Sequence, residues 1–341
     1  MASMGFEETM RHKTPEEISK EGIRAHTFED QWAHPIPLHT REQVVNMYDI
    51  KPEAQKTEIP TLVVPGWLGT PQKFKENMRA LVSAGRRSIS IDAPHGIEHE
   101  IRVPEHMEHV ADAELRRIAA FMTGLDAAGV EKTDALGHSE GGLDIMLAAA
   151  IYPDRFRNLV LIDPAGMIGK NNALFLAARF RWDKLKEFVQ GKWGGTLDRR
   201  AVPVKTPGSS TFDVARAFGE VRSIAAADIV DLLTYVKSLG IGVLVITGAG
   251  DAAFPIKWMG MEIEDQIIAA VGKRDDVYVK DNERLGKITE KVLDGFISVK
   301  GTHNDFRLHA PTYTRIAEGL MSTLEEKQAK SSKDSSTTAL T

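Results

Sequence analysis

The pentapeptide Gly-His-Ser-Glu-Gly at positions 137–141 places Ser139 between two glycines in the pattern G-x-S-x-G. It follows the predicted short strand Thr133–Leu136 and precedes a helical stretch, which predicts that Ser139 sits on a tight strand-to-helix turn. Small neighbours relieve crowding at such a turn, and the helix N-terminus favours negative charge that develops beside the hydroxyl. The alternative is that this turn has only a structural role. Ser139 is the candidate nucleophile.

A serine hydroxyl is a weak nucleophile, and it needs a base that is itself held by an acid. Asp251 follows the apolar run Val243–Ile246 after four further residues, and His303 comes shortly after Phe296–Val299. The order serine, acid, histidine along the chain is the one that accompanies G-x-S-x-G serines. The carboxyl ends of parallel strands lie at one edge of a sheet. We therefore predict a catalytic triad of Ser139, Asp251 and His303.

Other residues compete for the two supporting roles. Asp163 ends the apolar run Leu159–Ile162 and is a second strand-end carboxylate, whereas His309 lies farther along the chain than His303. In the alternative interpretation, Asp251 only caps a helix and His303 lies on the surface.

An oxyanion hole requires two backbone N–H donors. The residue after the nucleophile, Glu140, supplies one of them. The second is expected from Trp67, in the loop Pro-Gly-Trp-Leu-Gly that follows the apolar run Leu62–Val64. Gly66 allows the backbone to approach the site closely. The alternative is a glycine-rich turn with Trp67 packed in the core.

The elements that must position these residues are short apolar runs alternating with helical segments. Runs that are apolar on both faces suit strands of a parallel sheet covered by helices, so the sequence predicts a doubly wound α/β fold. Val44–Ile50 is expected to form an antiparallel edge strand. Helices are predicted over His106–Ala127, Leu143–Tyr152 and Ala225–Leu239.

Three regions interrupt this alternation and define the domain organisation. Residues 1–40 are predicted to be an N-terminal extension, and residues 165–224 a helical cap inserted between two strands. Residues 326–341 are rich in serine and threonine, and we expect a disordered tail. The α/β core then comprises 41–164 and 225–325.

Composition excludes several classes of function. The 341 residues include 43 basic and 48 acidic side chains, a net charge of −5 that argues against nucleic-acid binding. Basic pairs such as Arg86–Arg87 and Arg116–Arg117 are scattered, and we interpret them as solvated surface. The absence of cysteine rules out disulfides, thiolate metal sites and a cysteine nucleophile. Charged N-terminal residues and short apolar runs favour a soluble, cytoplasmic protein without a membrane span.

Two motifs imitate cofactor sites. Gly248-Ala-Gly250 after a strand resembles part of a dinucleotide fingerprint, but Asp251 would direct a carboxylate at the pyrophosphate. Four histidines lie close together at 95, 99, 106 and 109, and Pro104 separates the two pairs. A metal site there is the alternative to ordinary loop and surface histidines. We expect no cofactor and no metal.

Taken together, these motifs resemble the α/β-hydrolase superfamily over about residues 40–325. The resemblance rests on Pro65-Gly66-Trp67, the stretch Asp-Ala-Pro-His-Gly at 92–96, the Ser139 pentapeptide, Asp251 and His303. It implies an eight-stranded, mostly parallel sheet, a cap at 165–224 and a Ser139–His303–Asp251 triad. The chain departs from the family pattern in two places. Pro65 stands where many members have histidine, and the gap between Asp251 and His303 is long, which predicts extra structure at Lys257–Leu293 beside the pocket.

The function that these residues and the resemblance favour is hydrolysis of carboxylic esters through an acyl-enzyme on Ser139. The expected substrate is a small apolar ester or related acyl compound. Alternatives are a carbon–carbon bond or lactone hydrolase with the same triad, and a ligand-binding protein of this fold with little turnover. Binding of a partner through residues 1–40 or 257–293 is compatible with each of these, and the sequence does not specify the oligomeric state.

Overall fold

The computed structural model describes residues 27–39, 44–67, 69–92, 101, 103–104, 107, 110–167, 172–189, 214–248, 250–254, 294–299 and 301–338. Several predicted features lie outside these residues. They are most of the N-terminal extension, the four clustered histidines, the middle of the predicted cap, and the Lys257–Leu293 insertion.

Within the described residues, one sheet contains eight strands in the spatial order β1-β2-β4-β3-β5-β6-β7-β8. The first two pairings, β1 with β2 and β2 with β4, are antiparallel, and every other pairing is parallel. The predicted doubly wound, mostly parallel sheet is therefore confirmed. The strands are β1 Ile36–His39, β2 Val44–Ile50, β3 Thr61–Val64, β4 Ser88–Asp92, β5 Thr133–His138, β6 Phe156–Ile162, β7 Gly242–Gly248 and β8 Gly295–Val299.

The central strands of the sheet are buried on both faces. All six residues of β5 and all seven of β7 are buried, as the apolar runs predict for parallel strands covered by helices. Full burial of one Leu or Ile side chain contributes about 1.5–3 kcal/mol. The helices of eight or more residues are α2 Lys75–Ser83, α3 Asp112–Ala127, α4 Glu140–Ile151, α5 Ala173–Val189, α6 Val214–Ala226, α7 Val230–Ser238 and α9 Ala310–Thr338, and the short ones are α1 Phe28–Ala33 and α8 Asp305–Leu308.

The sheet begins earlier than the sequence predicts. Val44–Ile50 is antiparallel to its neighbours, as expected, but the edge position belongs to Ile36–His39, inside the predicted N-terminal extension. That strand contains Pro37 and buries only Leu38, so it has almost no hydrophobic signal. Proline is tolerated there because an edge strand leaves some N–H groups unpaired.

The helix predicted over Ala225–Leu239 is in fact the end of α6 and the whole of α7. The break lies at residues 227–229, where Gly166 packs against Ala227 and Ile229. The Ile229 N–H donates to the Gly166 carbonyl at 3.2 Å, so a loop from the end of β6 interrupts the helix. Such a break depends on tertiary contact and has no local sequence signal.

The disorder expected from residue 326 is also wrong, because α9 continues to Thr338. Glu325 pairs with Arg157, and Gln328 hydrogen-bonds with Asn158 at 2.8 Å, so tertiary contacts hold the helix past the predicted boundary. Once a helix is nucleated, each further residue is added at little cost.

Arg86 is likewise not a surface residue. Its side chain is fully buried, 2.8 Å from Glu325 and 3.6 Å from Asp134. In the part of the chain that the structure describes, no helix is both long and apolar enough to cross a membrane.

Candidate active site

Ser139 occupies the turn between β5 and α4 with φ 59° and ψ −122°. This left-handed conformation is uncommon for a residue with a side chain and stores strain. The flanking glycines have a steric reason, because a Cβ at Gly137 would lie 2.3 Å from the Gly141 carbonyl O. One at Gly141 would lie 2.3 Å from the Val64 carbonyl O. The predicted strand–turn–helix geometry is thus what the glycines permit.

The structure brings Ser139, His303 and Asp251 into one chain of hydrogen bonds. The Ser139 Oγ lies 2.9 Å from His303 Nε2, and His303 Nδ1 lies 2.9 Å from Asp251 Oδ2. Because a carboxylate only accepts, Nδ1 carries the proton and Nε2 is free to accept from the serine hydroxyl. All three residues are buried. This arrangement can activate the serine as a nucleophile.

Asp251 is held by the backbone that follows it. Its Oδ1 accepts from the Ala253 N–H at 2.7 Å and the Phe254 N–H at 3.1 Å, which leaves Oδ2 for His303. Burial opposes ionisation, but His303 and these two N–H donors hold the pKa of Asp251 below its ordinary value. The carboxylate is therefore ionised and fixed in orientation.

The two competing residues have other contacts. His309 is half-exposed and lies 3.8 Å from Asp305, on the helical turn that follows the His303 loop. Asp163 is buried at the end of β6 with φ 44°, and its Oδ1 accepts from the Gly248 N–H at 2.6 Å. The carboxylate that contacts His303 Nδ1 at 2.9 Å is that of Asp251.

Asp163 also belongs to the one described group whose spacing would suit a metal ion. Ligand atoms of His138, Asp163 and His303 lie within 4.8 Å of one another. Both ring nitrogens of His303 already contact Asp251 and Ser139, and His138 Nε2 contacts the His303 carbonyl. The donor set therefore fits a hydrogen-bonded triad better than a metal centre.

The loop after β3 lies directly against the nucleophile. A Cβ at Gly66 would be 2.7 Å from Ser139 Cβ and 2.7 Å from the His138 carbonyl O, so only glycine fits there. The backbone of Trp67 follows at once, and Glu140 begins α4 on the other side of the serine. The two predicted oxyanion donors thus come from two segments that meet at Ser139. They are the loop 65–67 after β3, which we call the oxyanion loop, and the start of α4, and together we call them the oxyanion segments.

Aromatic rings surround the imidazole of His303. Phe254 and Phe180 present their edges to it, with ring centroids 5.4 and 5.3 Å away. Phe180 belongs to α5, inside the predicted cap, and also lies 6.0 Å from the Trp67 ring. An aromatic wall of Phe180, Phe254 and Trp67 makes the surroundings of the triad apolar.

His138 contacts the backbone of His303. Its Nε2–H donates to the His303 carbonyl O at 2.7 Å, and its ring stacks on Phe306. Burial and the neighbouring His303 lower the pKa of His138 to about 3, so the ring is neutral. Its role in this geometry is to hold the loop that carries His303.

A buried charge cluster lies behind the oxyanion segments. Arg117 was expected on the surface, but its side chain is largely buried and forms ion pairs with Glu140 and, at 2.7 Å, with Asp144. It also donates to the Pro65 carbonyl O at 3.1 Å. The solvated interpretation is wrong because α3 packs this face against α4 and the β3 loop.

Two further carboxylates face this cluster. Glu114, one turn before Arg117 on α3, accepts from the Ser223 hydroxyl at 2.5 Å, and Glu220 accepts from the Trp67 indole N–H at 2.9 Å. Ser223 and Glu220 both belong to α6. The cluster therefore connects α6 to the oxyanion loop.

Burial dominates the ionisation of the cluster. It raises the pKa of Glu140 to about 7, against the opposing effect of Arg117, and raises the pKa values of Asp144 and Glu114 as well. The carboxylates in turn raise the pKa of Arg117, although burial alone would lower it. The cluster therefore retains its cation throughout the neutral range.

Sequence reasoning missed Arg117, Glu114 and His138, although signals exist. Glu114 and Arg117 are three apart and align with Ile118 and Phe121 on the apolar face of α3, which marks them as buried. His138 precedes the nucleophile on a strand that is buried throughout.

Comparison with known proteins agrees with this fold. Residues 60–206 match a family model described as alpha/beta hydrolase fold. The chain is 31% identical over 120 residues to the 2-hydroxy-6-oxononadienedioate/2-hydroxy-6-oxononatrienedioate hydrolase of Comamonas testosteroni, covering 35% of this chain and 38% of that one. It is 29% identical over 102 residues to the 2-hydroxy-6-oxo-6-phenylhexa-2,4-dienoate hydrolase of Burkholderia cepacia, covering 30% and 32%. The matches thus span about a third of the length of these curated relatives.

Solved structures extend the likeness over most of the chain. A serine hydrolase from Cycloclasticus zankles superposes with a TM-score of 0.55 at 12% identity, covering 85% of this chain and 98% of its own. A meta-cleavage product hydrolase from Pseudomonas fluorescens gives 0.52 at 17% identity, with the same coverage. At such identities the likeness concerns the fold. With the family match over residues 60–206 and the eight-stranded sheet order, it shows that this chain has the α/β-hydrolase fold.

Proposed function

We propose that the protein is a serine hydrolase that cleaves small, apolar carboxylic esters through an acyl-enzyme on Ser139. The observation that carries the proposal is the unbroken hydrogen-bonded chain from Ser139 through His303 to Asp251, with 2.9 Å at each step. The aromatic wall of Phe180, Phe254 and Trp67 supports an apolar substrate, because a charged group would lose its hydration there without a partner.

In the proposed mechanism, Ser139 Oγ attacks the ester carbonyl carbon while its proton passes to His303 Nε2. Asp251 stabilises the resulting imidazolium through Nδ1–H. The carbonyl oxygen becomes an oxyanion that accepts from the Trp67 and Glu140 N–H groups, each worth about 10²–10³ in rate. His303 then protonates the departing alcohol. Water attacks the acyl-enzyme, gives its proton to His303, and releases the carboxylic acid as Ser139 regains its proton.

Cleavage of a carbon–carbon bond beside a ketone is a second candidate, because the matched relatives from Comamonas testosteroni and Burkholderia cepacia are named as hydrolases of 2-hydroxy-6-oxo-dienoates and related dioates. Those compounds carry a carboxylate. Arg117 lies behind the oxyanion segments, but it is paired with Glu140 and Asp144. Among the described residues, the aromatic wall of Phe180, Phe254 and Trp67 beside His303 carries no charge, and these two observations favour an uncharged ester.

A reactive fluorophosphonate tests the shared chemistry. We expect a stoichiometric adduct on Ser139, located by peptide mass spectrometry, and its loss in Ser139→Ala. His303→Ala should retain the hydroxyl but react far more slowly, because the base is missing. Absence of labelling in a folded wild-type protein would refute an activated serine and favour a ligand-binding protein of this fold.

A substrate comparison then separates the two reactions. p-Nitrophenyl esters of increasing acyl length are assayed beside 2-hydroxy-6-oxo-6-phenylhexa-2,4-dienoate, whose conjugated chromophore is lost on cleavage. We expect kcat/KM for an ester to exceed that for the dienoate. The reverse order, abolished by Ser139→Ala, would make carbon–carbon bond hydrolysis the function.

A further inference from the structure

We propose that Arg117 is a positioning residue that fixes both segments of the oxyanion hole at once, through the Pro65 carbonyl on one side and the Glu140 carboxylate on the other. This inference rests on the proposed function, because it concerns the donors of that same site. Arg117 itself does not touch the reacting atoms. It acts through Trp67 and Glu140, whose backbone N–H groups would bind the oxyanion.

The contacts of Arg117 define this role. Its Nη2 donates to the Pro65 carbonyl O at 3.1 Å, two residues before Trp67. Its Nη1 pairs with the carboxylate of Glu140, and its Nε lies 2.7 Å from Asp144 Oδ2. The planar guanidinium thus uses all three nitrogens, each on a different partner. Lysine cannot reproduce that pattern, because its ammonium is a point charge without a fixed fork.

The two bridged segments also pack directly on each other, because a Cβ at Gly141 would lie 2.7 Å from the Pro65 carbonyl O. The β3 loop approaches Ser139 through Gly66, and Glu140 is the first residue of α4. The spacing between the Trp67 and Glu140 N–H groups therefore depends on how these segments are held together. A displacement of about 1 Å in such a site can cost about 10² in rate.

The charge balance makes the contact sensitive to pH. The groups that face Glu140 are Glu114 and Arg117 on α3, Asp144 on α4 and Glu220 on α6. Four carboxyl groups thus surround one guanidinium in a buried space. When Glu140 gains a proton, its ion pair with Arg117 becomes a neutral hydrogen bond, which weakens one side of the bridge. We therefore expect oxyanion stabilisation to decline as the pH falls through the titration of Glu140.

Two variants test the proposal, with Arg157→Lys as the matched control. Arg157 also bridges two carboxylates, Asp134 and Glu325, but Asp134 lies at the start of β5, far from Ser139. In Arg117→Lys we expect kcat for a reactive ester to fall about 10–100-fold with KM changed less than about threefold, the signature of a contact realised in the transition state. Arg157→Lys should lower the unfolding temperature and leave kcat within about twofold.

The second variant, Glu140→Gln, keeps the side-chain shape and the backbone N–H while fixing the carboxyl position as neutral. Wild-type log(kcat/KM) should rise with pH through two titrations, those of the triad and of Glu140. The variant should lose one of these titrations and reach a plateau about tenfold lower. That difference corresponds to a loss of about 1.4 kcal/mol of transition-state stabilisation.

The outcomes separate the two proposals. If wild-type protein is labelled at Ser139 and turns over ester, but Arg117→Lys has unchanged kcat and Glu140→Gln an unchanged pH profile, the positioning role is wrong and the proposed function stands. If wild-type protein is not labelled, the proposed function fails and the positioning role fails with it. Labelling together with a selective loss of kcat in Arg117→Lys supports both.

Discussion

Substitution of Gly66 by alanine probes the oxyanion loop more directly than any change at the triad. The new Cβ would lie 2.7 Å from both Ser139 Cβ and the His138 carbonyl O, and 3.3 Å from His138 Nδ1. Two of these neighbours belong to the backbone or to Cβ, so they cannot rotate away. Restoring ordinary van der Waals contact near 3.4 Å requires a shift of about 0.7 Å, and the adjoining Trp67 N–H must move with the loop.

The expected consequence is kinetic. A donor displaced by about 0.7 Å loses most of its alignment with the oxyanion, and a fully lost donor costs about 10²–10³ in kcat. We therefore expect kcat of Gly66→Ala to fall about 30–300-fold in steady-state ester hydrolysis, with KM nearly unchanged. Overpacking should also lower the free energy of unfolding by about 1–3 kcal/mol.

Gly85→Ala is the matched control for that stability loss. Its Cβ would lie 2.9 Å from the Ala54 carbonyl O, at a residue with φ 84° that precedes β4, at the opposite edge of the sheet from Ser139. It should destabilise the fold without a change in kcat. A Gly66→Ala protein that is folded and as active as wild type would refute the placement of a donor at Trp67.

Three further predictions concern the groups around Ser139. Asp251→Asn should lower kcat about 10³–10⁴-fold, because His303 loses its fixed tautomer, whereas a loss below tenfold in ester turnover would give the acid role to Asp163. His138→Phe should preserve ring packing but remove the hydrogen bond to the His303 carbonyl, lowering the free energy of urea unfolding by about 1 kcal/mol; an unchanged value would show that this hydrogen bond is dispensable. Burial raises the pKa of Glu140 to about 7, so the folded state holds a proton that the unfolded state releases above its lower pKa. That contribution to the free energy of unfolding is present in acid and is lost as the pH rises through 7. We therefore expect the free energy of unfolding in urea to decline by at most about 3 kcal/mol between pH 5 and 8, and to decline less in Glu140→Gln. An equal decline in the variant would contradict this assignment.

The parts of the site that local sequence could predict are those with a local steric cause. Gly137 and Gly141 are required because any Cβ there would overlap backbone carbonyls, and this marks the turn at Ser139 whatever the rest of the chain does. Asp251 and His303 follow apolar runs, and parallel strands bring their carboxyl ends to one edge. The predicted grouping of these three residues therefore follows from the sheet order.

The parts that the sequence could not predict depend on partners distant in the chain. Arg117 is buried because Glu140, Asp144 and the Pro65 carbonyl receive its guanidinium. The alignment of Arg117 with Ile118 and Phe121 indicates burial, but a pair of adjacent arginines on a helix gives no sign of which partners would receive the guanidinium. Arg86 is buried for a similar reason, since Glu325 reaches it from α9. Buried ion pairs are determined by tertiary contact, so composition and charge patterning misplace them.

The oxyanion loop lies where the α/β sheet meets α5 and α6 of the predicted cap. Ser139, Asp251 and His303 are fixed by strand ends and by backbone hydrogen bonds, whereas Trp67 contacts Phe180 on α5 and Glu220 on α6 through its side chain. The proposed nucleophile, base and acid are therefore held by the sheet. The proposed donor, Trp67, is held partly by helices of the predicted cap, so we expect a change of the cap to affect the rate through Trp67 even where it leaves the triad intact.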